Sequence, residues 1–175
     1  MSKEDNIKEK FKLAIISTAK AISNDYNLKK KKSSDIDLFE LDNLKNRNDF
    51  IKYRAEVDSK ALRKKFSKKE IFKLNYPKNM SCKSLYDFSE KIRCELLGSK
   101  ILKGVKNNFK ENYDYKINLK KKDQLKTKED VTVNEAFELY MLKNFFNIKL
   151  NKLSEDILNF WSSDFDKSFK KDLDF

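Results

Sequence analysis

Two glycines and one proline in 175 residues leave this chain few places to turn tightly. Hairpins and tight turns draw heavily on Gly, Asn-Gly and Pro, so a turn-rich sandwich or barrel is disfavoured. Long helices joined by polar loops remain. Both glycines fall in one stretch, EKIRCELLGSKILKGVKNNF at 90–109, where they interrupt an otherwise helical pattern. The length suits one domain, or one domain with an extension. A compact chain of this size buries roughly 70% of its unfolded surface. With 14 Phe and 39% hydrophobic residues it is too apolar to stay disordered, although 39% of its residues are charged.

Apolar periodicity predicts the helices. Residues 4–23 carry Ile7, Phe11, Ala14, Ile15, Thr18 and Ile22 at helical spacing, and 45–65 form a second helix. Ser67 and Glu70 make an S-x-x-E capping box for a short third helix that NYPKN ends, with Pro77 as the breaker. Ser84 caps a long fourth helix, or the turn before it. That helix runs over about 84–109 on a stripe of Leu85, Phe88, Ile92, Leu96, Ser99, Leu102, Val105 and Phe109. Residues 110–130 read as a polar loop with a short strand at YDYKINL. Thr132 and Glu135 open a helix through Phe137 and Tyr140, and a last helix from near Ser154 carries Leu158, Trp161, Phe165 and Phe169. A short β-hairpin or irregular arm is read over 26–43. The expected fold is an all-α bundle of five or six helices around the long central one, in a single domain of 1–175.

The formal charge is +12, which raises the question of nucleic acid. Yet the chain is rich in Lys, Asn, Ile and Phe and poor in Ala, Gly, Pro and Arg, the pattern that AT-rich codons impose. Its arginines are Arg47, Arg54, Arg63 and Arg93, whereas guanine readers and bidentate phosphate clamps lean on Arg. With no histidine, His-based zinc sites and Ser-His-Asp catalysis are excluded. Cys82 and Cys94 form no C-x-x-C and read as reduced thiols of a cytoplasmic protein. The N-terminus has no apolar core of a signal peptide, and no run reaches the ~20 apolar residues of a membrane span.

Catalytic motifs fail when tested. GSKILKGVK has five residues between its glycines and Val after Lys103-Gly104, so it is no Walker loop. Asp87-Phe88-Ser89-Glu90-Lys91 departs from D-x-S-x-S at its last position. No catalytic residue and no metal ligand is assigned. The arginines are more informative: Arg54 and Asp58 are four apart on one helix side, and Arg93 can reach Glu90 three residues earlier. These read either as ion pairs that fix helix packing or as a partner-docking surface. A mid-helix glycine costs about 1 kcal/mol relative to alanine. Gly98 and Gly104 lie about 240° apart around the axis, so each is expected to admit a different neighbouring helix, with a kink as the alternative.

Four pieces together resemble the N-terminal region of the CobT subunit of aerobic cobaltochelatase. FKLAIISTAKAIS at 11–23 resembles the opening helix of that family. YRAEVDSKALR at 53–63 resembles an R-G-x-A-D-x-x-A-L-R element through Arg54, Asp58, Ala61, Leu62 and Arg63, with Ala55 where the family has Gly. EKIRCELLGSKILKGVKNNF resembles E-x-x-R-x-E-x-x-G-x5-G-V-x-x-N through Glu90, Arg93, Glu95, Gly98, Gly104, Val105 and Asn108. Trp161 resembles a Trp near the end of the region. The family's His after the second element is missing.

The resemblance implies an assembly or adaptor domain without a catalytic site of its own. A CobS-like AAA+ ATPase and a large corrin-binding subunit are the implied partners in cobalt insertion during cobalamin biosynthesis. ATP, magnesium and cobalt would be handled by partner subunits or by other domains. Full members continue into an acidic linker and a C-terminal von Willebrand-type domain, neither present here, so a fragment or truncated relative is expected. Arg54, Asp58, Arg63, Glu90, Arg93 and Glu95 are the candidate partner-binding or structural charges, and Gly98, Gly104 and Trp161 the candidate packing positions. The alternatives are an adaptor of a chaperone-like AAA+ pair outside cobalamin synthesis, or a small basic nucleic-acid-binding protein.

Overall fold

The computed structural model describes residues 3–26, 44–119 and 127–173. Among them are eight α-helices and one 3-10 turn, with no strand. The helices are α1 (Lys3–Ser23), α2 (Arg47–Phe66), α3 (Lys69–Leu74), α4 (Met80–Ile101), α5 (Lys103–Leu119), α6 (Val133–Phe146), α7 (Lys152–Asn159) and α8 (Ser162–Leu173). The fold is all-α, as the scarcity of turn formers requires. The arm expected over 26–43 lies, from residue 27 on, outside the described residues.

With glycine so scarce, asparagine takes the left-handed positions that end helices. Asn24 follows α1 at φ 54° and Asn147 follows α6 at φ 51°. Asparagine tolerates this region better than other side chains do. Asparagine also starts helices. Asn46 accepts from the Asn48 and Asp49 N–H groups, and Asn151 accepts from the Ser154 N–H. Thr132 caps α6 by accepting from the Glu135 N–H at 3.3 Å, as expected.

Several expected boundaries move. Ser67 sits at the end of α2, its N–H donating to Arg63 O, and α3 begins at Lys69. Asn79 precedes α4 and accepts from the Ser81 N–H at 2.8 Å, so Ser84 lies inside the helix rather than capping it. The single helix of 84–109 is two helices divided at Leu102, although the bonds Leu102 N–H to Gly98 O and Lys106 N–H to Leu102 O bracket the break. YDYKINL is not a strand. It is the end of α5, where Phe109, Tyr113 and Ile117 are buried at intervals of four. The last expected helix is likewise two, α7 and α8, separated at Phe160 and Trp161.

The described residues fall into two compact units. The first comprises those of Met1–Lys73 and Arg93–Asn112, the second those of Leu74–Ile92 and Tyr113–Phe175. In the first, α1 packs on α2. Its core holds Ile15, Ala19 and Ile22 of α1, Tyr53, Val57, Ala61 and Leu62 of α2, Cys94 of α4, and Val105 and Phe109 of α5. In the second, α6 packs against α7 and α8. Phe137 is the hub of an aromatic cluster there, with Phe88, Phe165 and Phe169 at centroid distances of 6.3, 5.6 and 5.8 Å, each edge to face.

Candidate functional site in the polar interior of the first unit

Helix α2 buries Val57, Asp58, Ser59, Ala61 and Leu62 almost consecutively. A stretch of helix buried so far around its circumference must carry its polar residues inside, where each needs a partner. Asp58 is fully buried. Its Oδ2 accepts from Asn108 Nδ2 of α5 at 2.9 Å and from Arg54 Nε of α2 at 3.3 Å. Its Oδ1 has no partner among the described residues. Burial pushes the Asp58 carboxyl above its ordinary value, against the opposing pull of Asn108 and then Arg54. Desolvation prevails because the guanidinium is part-exposed and touches the carboxylate at one long contact.

One residue further along α2, Ser59 Oγ donates to Glu95 Oε1 of α4 at 2.6 Å, and Glu95 is buried. The next turn of α4 brings Gly98 against α2. A Cβ there would stand 2.4 Å from both Leu62 Cδ atoms and 2.9 Å from Cγ, so glycine is what lets the two helices meet. Gly104 differs: among the described residues a Cβ there would meet nothing within 4 Å, so they show no close approach at this second glycine.

The remaining candidates lie on the surface or in the second unit. Arg93 is exposed, and its Nη2 donates to Phe66 O at the end of α2 at 3.1 Å, a carbonyl that has no intrahelical donor. Arg63 stacks its guanidinium over the Phe72 ring, 5.1 Å from the centroid. Glu90 lies half-buried on α4 in the second unit. There too, Trp161 stacks near-parallel with Phe165 at 6.4 Å, with Lys128 Nζ 4.0 Å from its ring centroid. Lys128 also donates to Asp164 at 2.7 Å and holds that carboxyl below its usual range.

The structure thus gathers Arg54, Asp58, Glu95 and Gly98 into one interior and leaves Arg63, Glu90, Arg93, Gly104 and Trp161 outside it. It adds Ser59 and Asn108 as the donors to the two buried carboxylates. Asn108 stood within the quoted motif, but nothing in the sequence assigned it to Asp58. Ser59 carried no signal beyond its place beside Asp58. Among the described residues, no three His, Cys, Asp or Glu side chains converge as metal ligands. Each carboxylate is a buried acceptor joining two helices: Asn108 of α5 donates to Asp58 of α2, and Ser59 of α2 donates to Glu95 of α4.

Fold and interior describe an all-helical chain in which Asp58 and Glu95 are buried acceptors between helices. The chain belongs to the CobT family: the family model described as Cobalamin biosynthesis protein CobT matches residues 5–175, and the family places the chain in cobalamin biosynthesis. No curated protein and no solved structure matches it. No helix among the described residues is long and apolar enough to cross a membrane.

Proposed function

We propose that this chain is a non-catalytic assembly domain of a CobT-type cobaltochelatase subunit. In this reading it docks on a CobS-like AAA+ ATPase and helps pass ATP-driven motion to the large subunit that holds the corrin ring during cobalt insertion. The observation that supports it most is where the family's motif residues go. Asp58, Asn108, Glu95 and Gly98 fix the contacts among α2, α4 and α5. A domain that spends its motif on holding helices in register is suited to rigid docking. ATP, magnesium and cobalt then belong to partner subunits.

The test is co-expression with the cognate CobS-type ATPase. The tagged chain is expected to co-elute with the ATPase ring, and a folded chain that never co-elutes refutes the reading. Arg93→Glu sharpens the result. A variant that melts like the wild type but no longer co-elutes marks Arg93 as a docking residue, whereas an unfolded one marks it as structural.

A further inference from the structure

One face of α5 stays exposed among the described residues. Lys103, Lys106, Asn107 and Lys110 recur at i, i+3, i+4 and i+7, all exposed, opposite the face that buries Val105 and Phe109. Lys100, in the last turn of α4, is exposed too. None of these four lysines has a side-chain partner among the described residues. No Asp or Glu occurs between Leu96 and Lys110 to offset them. Like charges three and four residues apart weaken a helix. Gly104 weakens it further, and a Cβ there would meet nothing within 4 Å among the described residues. At the break between the helices, Ile101 is 67% and Leu102 37% exposed.

We infer that this face, from Lys100 to Lys110, is a docking surface for an acidic, partly apolar segment of a protein partner. Carboxylates of that segment neutralise the lysines, its apolar side chains cover Ile101 and Leu102, and the absent side chain at Gly104 lets its backbone come close. A nucleic acid fits worse. A phosphate backbone offers nothing apolar to Ile101 and Leu102. The stretch also holds no arginine, and its one aromatic, Phe109, is buried and cannot stack on a base. The inference stands on this face alone and does not depend on the chelatase reading.

Fluorescence anisotropy with a labelled Glu-Leu-Glu-Glu repeat peptide tests it on the full chain. The wild type is expected to bind, more weakly as salt rises. The double reversal K103E/K106E is expected to lower affinity by about tenfold or more, since it turns two attractions into repulsions. Gly104→Gln is expected to weaken binding while the melting temperature holds or rises, which separates occlusion from unfolding. K143E/K149E reverses two exposed lysines of the second unit and is expected to leave binding unchanged. The proposal is overturned if the peptide does not bind, or if K143E/K149E costs as much as K103E/K106E. It is also overturned if single-stranded poly-dT binds as tightly through the same lysines, or if the wild type is a dimer that K103E/K106E dissolves.

Discussion

The two glycines ought to respond to alanine with opposite signs. At Gly98 the new methyl would stand 2.4 Å from both Leu62 Cδ atoms and 2.9 Å from Cγ. Because Cγ is also too close, rotating the end of the side chain cannot relieve the clash, and Leu62 is fully buried. Overpacking of this kind costs about 1–3 kcal/mol, and a clash with three atoms belongs in the upper half of that range. Replacing a helical glycine returns about 1 kcal/mol, which leaves Gly98→Ala destabilised by about 1–2 kcal/mol. At Gly104 only the helical gain operates, so Gly104→Ala is stabilised by up to about 1 kcal/mol. For a chain of this length, each 1 kcal/mol shifts the melting temperature by about 2–4 °C. Thermal and urea unfolding followed by circular dichroism at 222 nm resolves the two directions. A double-mutant cycle with Leu62→Ala adds a check. That change alone costs about 2–5 kcal/mol, but it opens the space a methyl at 98 needs, so the double variant is expected to be about 1–2 kcal/mol better than additive. A Gly98→Ala protein as stable as the wild type, or a strictly additive cycle, refutes the close-approach account.

The buried polar groups give three further expectations. Asp58 has a folded pKa above its ordinary value of 3.8, so the folded state holds its proton more tightly and stability falls as pH rises through the interval between the two values. Relative to Asp58→Asn, the wild type is therefore expected to lose stability through that interval and to keep a constant difference above it, as read by urea titrations across the acid range. Ser59→Ala removes the 2.6 Å donor to buried Glu95 and is expected to cost about 1–3 kcal/mol by the same unfolding measurements. Tyr140 donates to Asp166 at 2.9 Å, and burial followed by that carboxylate pushes its phenol up to about 12. In a spectrophotometric titration at 295 nm, one tyrosine is expected to ionise about two units late, with stability falling between about pH 10 and 12 as the unfolded phenol ionises first. Tyr140→Phe removes that late step.

The sequence carried the helices most clearly where cap and stripe coincide. Thr132 with Glu135 marked the start of α6, and Ile15 and Ile22 of the expected α1 stripe line a core, although Ile7 of that stripe is exposed. The errors share one physical origin, the weight given to intrinsic preference and to single cap residues. Tyr113, Tyr115 and Ile117 suggested a strand because they favour one, yet Phe109, Tyr113 and Ile117 bury as a helical stripe, and tertiary packing decides. That spacing of four was present in the sequence and gave the stronger signal. Ser84 was read as a cap because serine favours the position, but Asn79 stood a little earlier in the chain and took it. The break at Leu102 falls between Gly98 and Gly104, where a kink was the alternative reading, whereas the break at Phe160–Trp161 had no Pro or Gly to announce it. The site was half legible. The spacing of Arg54 and Asp58 proposed an ion pair that forms, but the inter-helix donors Asn108 and Ser59 act across sequence separations of 50 and 36, which no local pattern encodes.

This division bears on what family membership says about mechanism. The interior positions of the quoted elements, Asp58, Glu95, Gly98 and Asn108, meet one another or their helix neighbours inside the first unit. Resemblance at such positions reports that the helices pack in one way, because a buried carboxylate without its donor, or a methyl at Gly98, carries a large cost. A docking surface faces no such internal constraint. It is assembled from exposed lysines and a few exposed apolar side chains, and in a chain whose composition already favours lysine these are hard to distinguish from background. What marks the Lys100–Lys110 face is therefore that no Asp or Glu falls within 96–110, together with Gly104, where a Cβ would meet nothing within 4 Å among the described residues. The interior holds the chain's own helices in register, and the exposed face of α5 is where the proposed docking can be measured.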